Sequence, residues 1–160
     1  MNILRHIAVV LLLAVGAVAP ATAKGPTILS VQGLDGTVAE FDLAQLEALE
    51  PLTIVTHTKW TNGPQTFVGV RVSTLMEAAG VAPGNSVHAV ALNDYHVELP
   101  SADFSEYPVI VAYRHNGEYM PVRDKGPLWI VYPQDDFRTL RTFATEAKMI
   151  WQLRQLKVVE

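Results

Sequence analysis

Short runs of β-forming residues, separated by turn residues, follow one another along most of this chain. Asn116-Gly117 lies between two such runs, residues 109–113 and 118–122, and this dipeptide is the strongest short-range signal for a β-hairpin. A second hairpin is predicted around the turn at residues 33–36. The pattern therefore limits the chain to sheet-rich folds. The other predicted strands cover residues 27–31, 37–41, 52–58, 65–70, 87–92, 95–99, 128–132 and 150–159.

Two short helices are predicted between these strands. The first begins after Asp42, whose side chain can cap the amides that follow, and Pro51 prevents its continuation. The second covers residues 72–79 and ends at Gly80. The strand at residues 87–92 is apolar on both faces, so we expect it to be central. Few short helices among at least eight strands predict an α+β fold in which the sheet dominates.

Composition bounds the domain count and excludes several classes of function. A chain of 160 residues, of which 49% are hydrophobic and 18% charged, is typical of one globular domain. The composition excludes a disordered or a collagen-like chain. Lys and Arg total 12 against 16 Asp and Glu, so no basic face for nucleic acid is expected. The sequence contains no cysteine, which excludes disulfides, thiol nucleophiles, zinc–thiolate sites and iron–sulfur clusters.

The N-terminus has the pattern of an export signal. A positively charged start is followed by 13 apolar residues at positions 7–19, then Pro20 and the small residues Ala21-Thr22-Ala23. The apolar run is too short for a membrane-spanning helix, which takes about 20 residues. We expect cleavage after Ala23, a mature domain of residues 24–160, and a periplasmic or extracellular location.

Familiar catalytic and metal-binding patterns are not found. The five histidines share no metal-ligand spacing, no Gly-x-Ser-x-Gly elbow occurs, and Asp135-Asp136 is expected to be a solvated loop pair. Aromatic and polar residues instead gather at strand ends, where a ligand would meet them. We expect Trp129 to lie in the core, whereas Trp60 is as consistent with stacking on a ligand as with packing. The candidate ligand-binding residues are Thr58, Trp60, Asp94, Tyr95, Lys125 and Trp129.

The order of motifs resembles the molybdopterin-binding domain of the sulfite oxidase fold, from about residue 27 to residue 159. In that family's enzymes a cysteine upstream of the segment matching Phe67-Val68-Gly69-Val70 binds molybdenum. Here that stretch, residues 53–60, has no cysteine, so the chain is similar to a stand-alone, cysteine-free member without the metal anchor. The other motifs are Thr58-Lys59-Trp60-Thr61, Leu75-Met76-Glu77-Ala78-Ala79-Gly80, Asn93-Asp94-Tyr95 with Glu98-Leu99-Pro100, Val111-Ala112-Tyr113 with Asn116-Gly117, and Gly126-Pro127-Leu128-Trp129-Ile130-Val131-Tyr132-Pro133.

The resemblance is strongest to exported pterin-binding proteins of this fold. It implies a non-enzymatic protein, needing no cofactor, that senses a small reduced pterin and regulates a membrane-bound diguanylate cyclase or phosphodiesterase. Asp94 would accept hydrogen bonds from the amino-pyrimidinone edge of the pterin, unless it caps its own turn, and Trp60 or Trp129 would stack on the ring.

Smaller roles and two alternatives complete the expectation. Tyr95 and Thr58 would hydrogen-bond the ring or side-chain hydroxyls, and Lys125 would meet a phosphate or lie in a solvated loop. His57 and His96 are weaker candidates for lining the entrance of the same binding site. One alternative is a molybdopterin-dependent oxidoreductase with His57 or Thr58 as the metal ligand, and another is an adaptor that has lost its ligand.

Overall fold

The computed structural model describes residues 24–160, and the predicted signal peptide at residues 1–23 lies outside them. Strands outnumber helices in this part of the chain, as the sequence predicts. The strands are β1 (Leu29–Gln32), β2 (Val38–Phe41), β3 (Pro51–Thr56), β4 (Gln65–Arg71), β5 (Ser86–Ala91), β6 (His96–Pro100), β7 (Ile110–His115), β8 (Glu118–Tyr119), β9 (Trp129–Val131) and β10 (Leu153–Val159). The helices are α1 (Leu43–Glu47), α2 (Val72–Ala78), α3 (Ser101–Glu106), α4 (Phe143–Lys148) and a 3₁₀ turn at Arg138–Leu140.

The first sheet has the strand order β2-β1-β10-β5-β6. β10 lies parallel to β1, with Ser30 opposite Gln155, and antiparallel to β5. Since β5 has a neighbour on each side, its predicted central position is confirmed. The sheet therefore joins the first and last strands of the described domain.

The second sheet has the strand order β3-β4-β7-β8, and β9 also pairs with β7. The predicted hairpin at Asn116-Gly117 connects β7 to a β8 of only two residues. A bulge interrupts the pairing of β4 and β7 at Gly69, where an added Cβ would lie 2.1 Å from the carbonyl oxygen of Val111. Only glycine lets the two backbones approach this closely.

Two helices, α1 and α4, begin at a side-chain cap, and the sequence analysis missed the second of them. Asp42 caps α1 through a reciprocal pair of bonds with Gln45, at 2.8 and 2.9 Å. Thr142 caps α4, because its hydroxyl oxygen accepts from the amide of Thr145 at 3.1 Å. Neither α3 nor α4 was predicted, since each has six residues and an irregular apolar pattern.

One continuous cluster of buried side chains joins the two sheets. Leu29 and Leu156 enter it from the first sheet, and Phe67 and Trp129 enter it from the second. Trp129 has no exposed surface, as expected of a core residue. Within residues 24–160, no helix is long and apolar enough to cross a bilayer.

Candidate functional site

A groove of about 560 Å³ opens beside the loop that follows β3. Its walls come from that loop, the β5–β6 turn, α4 and the segment before β10. The volume lies in the range of small-molecule sites, about 300–1,000 Å³. We call it the aromatic groove, and its main lining residues besides Lys59 are Trp60, Asn93, Tyr95, Phe143, Trp151 and Gln152.

A hydrogen-bonded turn holds Trp60 at the edge of the groove. The hydroxyl oxygen of Thr58 accepts from the Trp60 amide at 3.2 Å and lies 3.0 Å from the hydroxyl of Thr61. The ring of Trp60 meets Trp151 edge to face, with 4.8 Å between ring centroids and 87° between planes. Trp60 is therefore half-buried, packs against Trp151, and contributes with it to the lining of the groove.

Lys59 lines the groove beside two of its aromatic rings. Its ammonium nitrogen is 4.6 Å from the ring centroid of Trp60 and 4.8 Å from that of Phe143. Both distances fall within the reach of cation–π attraction, about 6 Å. A flat ligand that stacks on this side of Trp60 must therefore displace the ammonium group.

Two amide side chains supply hydrogen-bonding groups at the wall. The Asn93 oxygen accepts from the Tyr95 amide at 3.1 Å, and the Gln152 nitrogen donates to the Val122 carbonyl at 2.6 Å. No residue between 24 and 160 bonds to the remaining Asn93 NH₂ group or to the Gln152 oxygen. One donor and one acceptor thus remain for a ligand.

Trp60 and Tyr95 are the predicted site residues that share the aromatic groove. Tyr95 is 58% exposed on the β5–β6 turn. Asp94, next to it, has a φ of +65°, pairs with Arg154, and leaves 83% of its side chain exposed. The Asp94 carboxylate thus bonds β10 through Arg154, whereas the side chain that bonds the backbone of the turn is Asn93.

Trp129 and Lys125 lie outside the groove lining. The Trp129 ring is fully buried, and its indole N–H donates to the Met149 carbonyl at 2.9 Å, so it offers no open face for stacking. The Lys125 ammonium is 3.2 Å from Asp124. Gly126 leaves no room for a ligand beside its backbone, because an added Cβ would collide with the Met120 carbonyl group. The chain's own backbone occupies that space.

A histidine–aspartate pair that the sequence analysis missed borders a neighbouring recess of about 500 Å³. His57 Nδ1 lies 2.6 Å from Asp135 Oδ2, and the His57 backbone N–H donates to the same oxygen at 3.0 Å. Arg141 donates to the Gln134 and Asp135 carbonyls at 2.9 and 2.8 Å. The expectation of a solvated loop pair thus holds for Asp136, which is exposed, and is wrong for Asp135, whose carboxylate is bonded to His57. No sequence signal links His57 to Asp135, since the two residues are 78 positions apart.

Comparison with known proteins connects this geometry to one family. The model of the oxidoreductase molybdopterin binding domain matches residues 27–139. The chain belongs to this family. The resemblance seen in the order of motifs is thereby confirmed, together with the sheet-dominated α+β fold of the sulfite oxidase type.

A solved structure gives the same fold at low identity. The sulfane dehydrogenase SoxCD from Paracoccus pantotrophus is similar with a TM-score of 0.61 and 20% identity, over 81% of this chain. This chain spans 37% of the matched SoxCD chain, so the likeness concerns the domain fold alone. A comparison with curated proteins finds no significant match.

The residues at the end of β3 do not fit a molybdenum centre. The sequence has no cysteine, and residues 24–160 contain no group of three His, Asp or Glu side chains that could hold a metal. Thr56 is fully buried and accepts from the Asp135 amide at 3.3 Å, while His57 is bound to the Asp135 carboxylate. Thr58 is engaged in its own turn. This segment thus offers no soft thiolate ligand, and its polar groups already have partners.

Proposed function

We propose that this chain is a non-enzymatic binding protein that holds a small reduced pterin in the aromatic groove. One observation carries the proposal: a groove of suitable volume combines exposed aromatic surface with a free amide donor and a free amide acceptor. Membership in a family whose domain binds a pterin-containing cofactor supports the same ligand class.

The chemistry of a pterin suits these walls. Its bicyclic ring is flat and polarisable, so Trp60, Phe143 or Trp151 can cover a face of it. Its amino-pyrimidinone edge carries both N–H donors and a carbonyl acceptor, which match the Gln152 oxygen and the Asn93 NH₂ group. Tyr95 adds a hydroxyl at the exposed end.

The signalling part of the proposal rests on the sequence pattern of an exported protein. In the periplasm the ligand-bound chain would act on the periplasmic part of a membrane-bound diguanylate cyclase or phosphodiesterase. Regulation then requires that pterin changes the affinity of the chain for this partner, because equal affinities shift no equilibrium.

Titration calorimetry with a tetrahydropterin, in the absence of oxygen, tests the binding proposal. We expect one site per chain, and we expect Tyr95→Phe to weaken binding about fivefold through one lost hydrogen bond. Tyr107→Phe is the matched control, since the Tyr107 hydroxyl lies 3.3 Å from Thr139 and outside the groove. No binding heat, or equal losses in both variants, would contradict the proposal.

Partner binding separates a sensor from an adaptor. A sensor should bind its membrane partner with an affinity that depends on pterin, and a Trp60 substitution should remove that dependence. An adaptor with a vestigial groove should bind the partner equally well with or without pterin. Molybdenum bound together with molybdopterin would instead support the oxidoreductase alternative.

A further inference from the structure

A second recess of about 530 Å³ lies between α1, the start of β1 and the β7–β8 hairpin. It shares no lining residue with the aromatic groove. Its wall is mostly apolar, with Ile28, Leu43 and Met120 contributing. We call it the Tyr113 recess, after the buried tyrosine in its lining.

The Tyr113 hydroxyl is the unusual group in this recess. The residue is only 4% exposed, yet its hydroxyl makes no hydrogen bond to any residue between 24 and 160. The hydroxyl keeps some accessible surface, since the Ser101 hydroxyl is the one side-chain polar atom of residues 24–160 that is both fully buried and without a partner. Because Tyr113 lines the cavity, its hydroxyl is placed to bond a molecule held there.

The charged residues in the lining of the recess are both acidic. Glu47 and Asp42 both line it. The Tyr119 hydroxyl, together with Arg114, lowers the pKa of Glu47, and the Gln45 amide lowers the pKa of Asp42, so both carboxylates are ionised at neutral pH. Arg114 lies 3.0 Å from Glu47 and compensates that one charge.

The aromatic rings favour the same kind of ligand as the charges do. Tyr113 and Tyr119 both contribute to the wall, and the negative face of a tyrosine ring attracts cations. The Arg114 guanidinium already lies 4.2 Å from the centroid of the Tyr119 ring. Burial, followed by the nearby Glu47 charge, raises the pKa of Tyr113, so its hydroxyl stays protonated and neutral.

We propose that the Tyr113 recess binds an organic cation, an ammonium group carried on an apolar body. The apolar body lies against Ile28, Leu43 and Met120. The ammonium group donates to the Tyr113 hydroxyl oxygen and to the Glu47 carboxylate. This site is independent of the pterin proposal, because it uses other residues and another ligand chemistry.

Amide chemical shifts of the full exported chain, measured by NMR during titration with 2-phenylethylammonium, test the proposal. We expect saturable shifts at Tyr113, Tyr119 and Met120. The neutral isostere 2-phenylethanol should bind at least about tenfold more weakly, because it lacks the charge. Absence of saturable shifts with the ammonium probe, or equal affinity for the alcohol, would overturn the proposal.

Two variants locate the interaction. Tyr113→Phe removes only the hydroxyl and should weaken ammonium binding about tenfold, and Glu47→Gln should weaken it similarly through the lost charge. Tyr107→Phe, outside the recess, should bind as the unaltered chain does. Circular dichroism establishes that each variant is folded, and unchanged affinity in both folded recess variants would refute the assignment.

Discussion

Trp60→Leu should weaken pterin binding, whereas Lys59→Gln should strengthen it. Stacking of a heterocyclic base on an aromatic side chain contributes about 1–3 kcal/mol. In the free protein the Lys59 ammonium lies 4.6 Å from the Trp60 ring centroid, and an exposed cation–π contact is worth about 0.5–1 kcal/mol. A pterin that stacks on this face of Trp60 gains the stacking energy, but it displaces Lys59 and so loses the cation–π contact.

The two terms set the expected magnitudes. Trp60→Leu removes both the stacking of the pterin, about 2 kcal/mol, and the cation–π contact that the pterin displaces, about 0.8 kcal/mol. The difference weakens binding by about 1.2 kcal/mol, which is roughly eightfold in Kd. Lys59→Gln removes only the cation–π contact with Trp60 that the pterin would otherwise have to displace. Pterin binding should therefore tighten about two- to fivefold.

Titration calorimetry on both variants, with folding checked by circular dichroism, gives the two Kd values. Because the two variants are expected to change the Kd in opposite directions, either result can refute the argument. If Lys59→Gln weakens binding, Lys59 contacts the ligand directly and the displacement argument is wrong. If Trp60→Leu leaves the affinity unchanged, the pterin does not stack on Trp60.

Three further predictions concern stability. Burial, with a smaller effect of Lys125, lowers the pKa of His115 below its ordinary value of about 6.5, so the unfolded chain binds the proton more readily. Stability should therefore fall as the pH drops through 6.5 toward the folded pKa, and thermal unfolding of His115→Asn should lose this dependence. Thr142→Ala should cost about 1 kcal/mol of unfolding free energy and weaken pterin binding, since α4 carries Phe143, whereas Thr142→Ser should change little. Gly69→Ala should cost about 3 kcal/mol or more in urea unfolding, against about 1 kcal/mol for Gly63→Ala in its open turn.

Local signals in the sequence predict much of the fold. The Asn116-Gly117 turn, the Asp42 cap and the Gly80 helix end act over a few residues, so each is visible without tertiary information. The parallel pairing of β1 with β10 joins segments more than 120 residues apart, and no short-range pattern specifies it.

The candidate site is only partly predictable for the same reason. Trp60 and Tyr95 stand out as aromatic residues at strand ends, and the structure places both in the groove. Phe143 escapes notice because α4 is short, although Thr142 offers a cap signal three residues before Thr145. The bond between His57 and Asp135 depends on the packing of two distant loops.

The most direct test is to express the full chain with its N-terminal segment, purify it, denature it, and assay the released material. Mass spectrometry identifies pterins, and elemental analysis measures molybdenum. We expect a monomeric pterin without molybdenum, because the aromatic groove suits a flat heterocycle and the end of β3 has no thiolate ligand. Molybdenum released together with molybdopterin would contradict the account and identify an oxidoreductase.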